Sequence, residues 1–148
     1  MKHLVDIATD HPTFTAPVGR TVRQVVDYMT EVGVGAMPLV DGGKVVGIFT
    51  ERDLMTRVVA ARRDPDGTLV EDVMTTDLVL AEAGEPYLVS LSKMQQAGCR
   101  HLPVVRDGAL IGMVSLRDLL QVEVEEKEEE VKMITSYMYG HPSGSGSA

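Results

Sequence analysis

Aromatic residues and cysteine are scarce in this chain of 148 residues. Tryptophan is absent, and aromatic residues make up only 4% of the chain, although apolar residues make up 44%. The core must therefore be built from valine, leucine, isoleucine and methionine. Cys99 is the single cysteine, so an internal disulfide is impossible, and we expect no tightly held structural metal.

The sequence also lacks an excess of basic charge and a long apolar run. Asp and Glu number 22 against 14 Lys and Arg, which gives a net charge of −8. Phosphate backbones repel such a chain, so we expect no nucleic-acid partner. No apolar run approaches the length that spans a bilayer, and the first residues lack the features of a signal peptide. We therefore expect a cytoplasmic protein without a membrane partner.

One segment of the chain is present twice. Residues 47–54 (GIFTERDL) recur as residues 112–119 (GMVSLRDL), an offset of 65 residues. The offset holds without a gap over a longer stretch, in which Pro38 corresponds to Pro103. Two copies are too few, and the period is too long, for a common solenoid. We therefore expect two similar units that pack face to face as one globule.

Hydrophobic periodicity and turn residues predict the same elements in both copies. The predicted elements are a short strand at 13–15, a helix from Thr21 to Gly33, a hairpin at 37–49, a helix capped by Thr50, a helix at 86–97, a hairpin at 102–114 and a helix capped by Ser115. Each unit is thus β-α-β-β-α, and the predicted fold class is α+β with pseudo-two-fold symmetry. The predicted divisions are a first unit at 4–62, a linker at 63–68, a second unit at 69–122, an acidic C-terminal helix at 123–140 and a flexible tail at 141–148.

The last predicted helix does not stop at the end of the second unit. Residues 121–132 contain six glutamates and two lysines. Apolar residues at a 4-3 spacing run along it, if Lys127 takes one position: Leu120, Val124, Val131, Ile134 and Met138. Two interpretations remain open, a solvated helix laid over its own domain or a seam against a second subunit.

Both copies carry a hydroxyl, an arginine and an aspartate where a strand is predicted to end and a helix to begin. The first set is Thr50, Arg52 and Asp53, and the second is Ser115, Arg117 and Asp118. Free N–H groups at a helix N-terminus and a nearby guanidinium attract phosphate, and a carboxylate accepts hydrogen bonds from ribose hydroxyls. The pattern therefore indicates a nucleotide site.

The same residues also fit a purely structural explanation. A hydroxyl followed three residues later by a carboxylate forms a capping box, which prefers Glu or Gln but accepts Asp. A cap needs neither the repeated arginine nor a glycine three residues before the hydroxyl. Gly47 and Gly112 are understandable where a ligand approaches the backbone closely.

With these motifs the chain resembles a tandem pair of CBS domains, the modules named after cystathionine β-synthase. The resemblance is carried by residues 37–40 with 47–54, and by residues 101–105 with 112–119. It implies two clefts between the copies that bind adenine nucleotides or related adenosyl ligands. It assigns Asp53 and Asp118 to ribose. Four further residues are implied to face phosphate: Thr50, Arg52, Ser115 and Arg117.

The resemblance also implies which segments flank the base, mainly through their backbone. These residues are Thr15, Ala36, Met37, Pro38, Leu80, Leu102 and Pro103. Only the second copy has polar residues, Arg100 and His101, just before its buried strand, and the resemblance lets them reach a phosphate. The alternatives are a solvent-exposed Arg100 and a packed His101. We expect two unequal clefts, with Asp53 in the tighter one, facing Arg100, His101 and Arg117.

The function that follows from the resemblance is a regulatory module that senses an adenosyl ligand and signals to an unidentified protein. The expected ligand is AMP, ADP or ATP, with or without magnesium, while NAD and S-adenosylmethionine remain possible, and no tightly bound cofactor is expected. We also expect a homodimer. The alternative is a ligand-free structural dimerisation module. Enzymatic activity is not expected, because Cys99 and the scattered histidines form no activated nucleophile.

Overall fold

The computed structural model describes residues 3–9 and 12–138, which form two three-stranded sheets and the helices around them. The elements are α1 (Leu4–Ala8), β1 (Ala16–Pro17), α2 (Val22–Val32), β2 (Ala36–Asp41), β3 (Lys44–Thr50), α3 (Glu51–Asp53), β4 (Ala81–Glu82), α4 (Tyr87–Ala97), β5 (His101–Arg106), β6 (Ala109–Ser115) and α5 (Leu116–Met138). A π-helical stretch, Leu54–Val59, continues α3, and a 3₁₀ turn, Val70–Asp72, precedes β4.

The two units have the same sheet topology. The strand order is β1-β2-β3 in the first sheet and β4-β5-β6 in the second. In each sheet the first pair is parallel and the second antiparallel, and the register shifts at equivalent places, Leu39/Val40 and Val104/Val105. The predicted α+β class and the repeated unit are therefore confirmed.

The helix ends follow local sequence signals. Thr21 caps α2 through a reciprocal pair of hydrogen bonds with Gln24. Gly33 and Gly98 end α2 and α4 at φ values of 76° and 68°, a region that glycine adopts without a steric penalty.

The first strand lies later in the chain than the sequence predicts. Residues 13–15 have no regular structure, and β1 is Ala16–Pro17, with Ala16 opposite Leu39 in parallel register. Ala16 is buried, whereas Thr13 and Thr15 are exposed. Burial of the small side chain against β2, and not the β-propensity of the threonines, sets the position of the strand.

The segment that leads into each unit packs on the other unit. Leu4, Ile7 and Ala8 of α1 belong to the aliphatic core of the second sheet, together with Val104 and Leu119. In return, residues 70–74 complete the core of the first sheet around Phe49. The two units therefore exchange their first segments, and neither core is complete without residues from the other half.

This exchange explains the two repeated glycines. A Cβ on Gly112 would lie 2.8 Å from both the Cβ and the carbonyl oxygen of Ala8, and a Cβ on Gly47 would overlap the side chain of Met74. The interpretation of these glycines as places of close ligand approach is therefore wrong. They make room for the exchanged segments.

Helix α5 leaves the body of the protein after its first turns. Leu119 and Val122 are its buried residues, and Glu126 accepts a hydrogen bond of 2.9 Å from the Tyr87 hydroxyl on α4. Burial, reinforced by Glu126, raises the pKa of Tyr87 to about 12, so the phenol stays a donor. Within residues 3–9 and 12–138, no helix combines the length and the apolar character needed to cross a membrane.

Candidate ligand-binding site

Each predicted capping residue stands where a strand ends and a helix begins. The hairpin register places Thr50 opposite Ala36, and Ser115 opposite His101. Asp53 Oδ2 accepts a hydrogen bond of 3.0 Å from Thr50 N, and the Asp53 N–H donates to Thr50 Oγ1 over 3.2 Å. The equivalent bonds in the second unit measure 3.0 and 3.1 Å. The capping boxes are therefore real, and they fix the positions of both carboxylates.

The helix N-termini are not the open anion sites that the sequence suggested. The Glu51 N–H donates to the Gly35 carbonyl over 3.0 Å, and the Leu116 N–H donates to the Arg100 carbonyl over 2.7 Å. The capping hydroxyls occupy a further N–H in each first turn. Since most of these donors are used within the protein, attraction of phosphate must come mainly from guanidinium groups.

The Asp53 carboxylate is buried and held from several sides. It is 6% exposed, and besides the backbone of Thr50 it accepts hydrogen bonds from the Thr50 hydroxyl at 3.1 Å and the Thr75 hydroxyl at 3.0 and 3.2 Å. Arg57 Nε lies 3.7 Å from Asp53 Oδ1, and Arg57 Nη1 also donates to the Met74 carbonyl over 3.0 Å. Asp53 therefore ties the exchanged segment around Thr75 to the first unit.

The Asp118 carboxylate has different surroundings from those of Asp53. It is half-buried, and position 122, which corresponds to Arg57, is the buried Val122. The two aspartates are equivalent in sequence, but Asp53 is the more deeply buried of the two.

Four of the predicted residues come together in one surface groove. Arg100, His101, Ser115 and Arg117 line a groove of about 470 Å³ that continues along α5 past Leu120. The side chains of both arginines are exposed. A groove with two guanidinium groups and a hydroxyl is suited to a phosphate.

Residues of the first unit lie beside the segment that carries Arg100 and His101. Arg52 Nη1 lies 3.5 Å from the Gly98 carbonyl, so its guanidinium reaches across to the segment that carries Arg100. The Glu51 carboxylate, next along the chain, acts electrostatically on His101. Residues of both units therefore meet around positions 98–101.

Burial lowers the pKa of His101 below its ordinary value of 6.5, and Arg100 lowers it further, while Glu51 and Asp118 oppose the shift. Below pH 6.5 the unfolded chain then binds more protons at this residue than the folded chain does. The free energy of unfolding is therefore expected to fall as the pH drops from 7 through the folded pKa, and His101→Gln is expected to reduce that slope. An NMR titration of the His101 ring tests whether this residue causes the pH dependence of stability. A titration midpoint above pH 6.5 in the folded protein would contradict that assignment.

The structure does not bring the remaining predicted residues into this groove. Thr15 lines a separate groove of about 350 Å³ with Arg20 and Tyr28. The backbone carbonyl of Leu80, another predicted base-flanking residue, already accepts a hydrogen bond of 3.0 Å from Lys93 Nζ. The other five predicted base-flanking residues are all buried: Ala36, Met37, Pro38, Leu102 and Pro103. Met37 and Leu102 belong to the cores of the first and second sheet, and contact of these five residues with a base stays a prediction.

Sequence reasoning missed Arg57, Thr75 and Glu51. Arg57 follows Asp53 by four residues, a spacing at which helical side chains meet, so this pair was visible in the sequence. Thr75 lies 22 residues from Asp53, and the sequence carries no sign of the segment exchange that brings them together. Cys99 is half-buried against the second core, and burial raises the pKa of its thiol.

Comparison with known protein families finds the same domain in both halves of the chain. The CBS domain family model matches residues 4–60 and 70–125, nearly all of the described chain. The chain belongs to the CBS domain family. Among its relatives are the mitochondrial CBS domain-containing protein CBSX3 of Arabidopsis thaliana, 34% identical over 81% of this chain, and protein MK0525 of Methanopyrus kandleri, 36% identical over 86%. The matched regions cover 61% and 64% of those two proteins, so the chain spans under two thirds of their length.

Solved structures of CBS proteins have the same fold. A CBS-domain protein from Burkholderia ambifaria is 31% identical, with a TM-score of 0.79 over 84% of this chain and 95% of that one. PAE2072 from Pyrobaculum aerophilum, complexed with AMP, is 26% identical, with a TM-score of 0.72 over 79% of this chain and 89% of that one. The CBS domain pair of MJ0100, complexed with 5′-methylthioadenosine and S-adenosyl-L-methionine, is 25% identical, with a TM-score of 0.73 over 82% of this chain and 98% of that one.

Proposed function

We propose that this CBS pair is a regulatory module that binds an adenosyl ligand at the junction of its two units and signals to a partner protein. The observation that carries the proposal is the groove in which Arg100, His101, Ser115 and Arg117 meet, with Arg52 of the first unit beside it. The relatives complexed with AMP and S-adenosylmethionine support the adenosyl class. Two cationic side chains in one groove favour a ligand that carries phosphate, such as AMP, ADP or ATP, over an uncharged adenosine.

We further propose that the tighter site belongs to the second unit, with Asp118 as the ribose carboxylate. This reverses the expectation drawn from the sequence, which favoured Asp53. The Asp53 oxygens are already occupied by Thr50 and Thr75, so a ribose would have to displace hydrogen bonds that hold the first unit together. Asp118 is half-buried and lies close enough to His101 to act on it electrostatically.

Two alternatives make different predictions. A ligand-free dimerisation module would bind none of these compounds, and it gives no reason for the charged groove. An enzyme needs an activated nucleophile or an acid–base pair, and burial raises the pKa of the Cys99 thiol, which keeps it unreactive. Within the residues that the structure describes, no group of three or more His, Cys, Asp or Glu is arranged to hold a metal ion.

Stabilisation by a ligand tests the proposal directly. A ligand that binds only the folded protein adds about 2.7 kcal/mol at a hundred times its Kd, which raises the melting temperature by several degrees in a domain of this size. We expect this shift with AMP and a smaller one with adenosine at equal concentration. ADP, ATP with magnesium, NAD and S-adenosylmethionine complete the panel. If no adenosyl compound moves the melting curve at millimolar concentration, the ligand-free module is the correct alternative.

A matched pair of variants locates the site on the protein. Arg117→Gln is expected to weaken AMP binding at least tenfold in calorimetry, because one charge-assisted contact contributes about 1.5–3 kcal/mol. Arg63→Gln removes the same charge from an exposed position outside the groove, and we expect less than a twofold change. Equal losses from both variants would attribute binding to net charge alone.

We also propose that the protein is a homodimer, since two-fold pairing is the commonest form of assembly and CBS pairs provide helical faces for it. Light scattering at micromolar concentration should give twice the chain mass of 16.1 kDa. A chain that ends after Glu126 keeps the buried Val122 and the Tyr87 contact, and it should remain a dimer. A mass of one chain for the full-length protein contradicts the proposal.

A further inference from the structure

The outer part of α5 presents an apolar stripe that nothing in the described chain covers. Leu120, Val124 and Val131 are 46%, 50% and 62% exposed, and Ile134 and Met138 continue the stripe at the same spacing. The first three line a groove of about 790 Å³ along the helix. Apolar surface that continues over several helical turns marks an interaction site.

Charged side chains lie on both sides of this stripe. In a heptad whose core positions are Leu120, Val124 and Val131, the flanking positions are Glu123 and Glu130 on one side and Gln121 and Glu128 on the other. Lys127, within the stripe, lies 3.9 Å from Glu130. Lys127 and Lys132 also line the groove, so its acidic character is confined to the flanking positions, where Glu123, Glu128 and Glu130 stand without a basic residue.

These flanks disfavour a second copy of α5 in the groove. A parallel pair would place Glu123 of one helix against Glu128 of the other, and an antiparallel pair would place Glu123 and Glu130 against each other. Like charges at flanking positions destabilise a coiled coil and act against self-pairing. Of the two interpretations left open by the sequence, a seam between two copies is therefore the less favourable.

We propose that the groove of α5, formed by Leu120, Val124 and Val131 and flanked by Glu123, Glu128 and Glu130, docks a cationic amphipathic helix of a partner protein. Lysines or arginines beside an apolar stripe on the partner would pair with the three glutamates. Residues 123–138 extend about 24 Å at the rise of an α-helix, which gives a partner helix roughly four turns of contact. The proposal depends on the proposed function only because a regulator needs a partner, and docking itself requires no nucleotide.

The groove is also continuous with the candidate ligand site. Leu120 and Val124 line both the docking groove and the groove that contains Arg100 and Arg117. Helix α5 begins at the Ser115 cap, so a ligand and a partner helix would contact one rigid element at neighbouring turns.

The test uses the full chain without nucleotide and a pair of designed peptides. The first is a 21-residue fluorescent peptide with leucine at the a and d positions and lysine at the e and g positions, and the second has glutamate at e and g. In fluorescence anisotropy at physiological salt, we expect the lysine peptide to bind at least tenfold more tightly than the glutamate peptide. Equal affinity for the two peptides, or binding of neither, overturns the proposal, whatever the result with AMP.

Charge-matched variants locate the docking surface. The double variant Glu123→Gln/Glu128→Gln removes two charges from the flanks, and Glu125→Gln/Glu129→Gln removes two from the opposite face of the same helix. We expect the first to weaken binding of the lysine peptide at least fivefold and the second less than twofold, with unchanged helicity by circular dichroism. Equal losses contradict the proposal. Val131→Ser should weaken peptide binding and leave the mass in light scattering unchanged, and conversion of a dimer to a monomer would show that a second copy occupies the groove.

Discussion

Asp53→Ala is expected to lower the free energy of unfolding by about 4 kcal/mol, whereas Asp118→Ala is expected to lower it by about 1 kcal/mol. Asp53 is buried and accepts from the Thr50 N–H, the Thr50 hydroxyl and the Thr75 hydroxyl. Removal of the carboxylate leaves these donors without their partner in a poorly solvated place, and Arg57 loses its counter-charge. Asp118 is half-buried, so water can hydrogen-bond to the groups that lose the carboxylate, and we expect the smaller loss.

Urea unfolding of both variants measures the difference. Asp53→Asn is the control, because its amide oxygen keeps an acceptor for the Thr75 hydroxyl, and we expect it to recover part of the loss. Thr75→Val tests the link between the two halves and should destabilise the protein by a smaller amount. If Asp53→Ala and Asp118→Ala cost the same, the burial of Asp53 has no energetic consequence, and the placement of the ribose at Asp118 is contradicted.

The repeated pattern predicted the architecture of each unit because its signals are local. Thr21, Gly33 and Thr50 act through neighbours within four residues, and the hairpin turns are encoded in adjacent residues. The short strand β1 was misplaced because its position depends on the burial of Ala16 against β2, more than twenty residues away. Local propensity favoured the threonines, and tertiary packing overrode it.

The sequence predicted two unequal clefts from Arg100 and His101, but it did not indicate that the two aspartates differ in burial. The two sets, Thr50 to Asp53 and Ser115 to Asp118, are equivalent in sequence, so nothing local distinguishes the aspartates. Thr75 encloses Asp53, and it reaches this carboxylate only because residues 70–74 pack on the first unit. A repeat in sequence conveys which residues correspond, but it does not convey that the leading segments are exchanged.

Gly112→Ala is expected to destabilise the protein by about 3 kcal/mol, and Gly47→Ala by about 1 kcal/mol. In a strand without neighbours, alanine would be the better residue by up to about 1 kcal/mol. At Gly112, however, the new methyl group would meet the Ala8 carbonyl oxygen at 2.8 Å, and backbone in a packed helix yields little. At Gly47 the obstacle is the side chain of Met74, whose several rotatable bonds let it move aside.

The backbone contact of Gly112 also decides how far a second change can rescue the variant. Ala8→Gly in the Gly112→Ala background removes the clash between the two methyl groups, but it leaves the clash with the Ala8 carbonyl. We therefore expect only partial recovery of the free energy of unfolding. Met74→Ala in the Gly47→Ala background removes the whole obstacle, so it should abolish the cost of the Gly47 substitution relative to Met74→Ala alone. Equal costs of the two glycine substitutions in urea unfolding would contradict this account, because α1 would then yield as easily as a methionine side chain. A larger cost for Gly112→Ala than for Gly47→Ala would show that α1 cannot move away from β6. The second core would then depend on a rigidly packed helix from the beginning of the first unit.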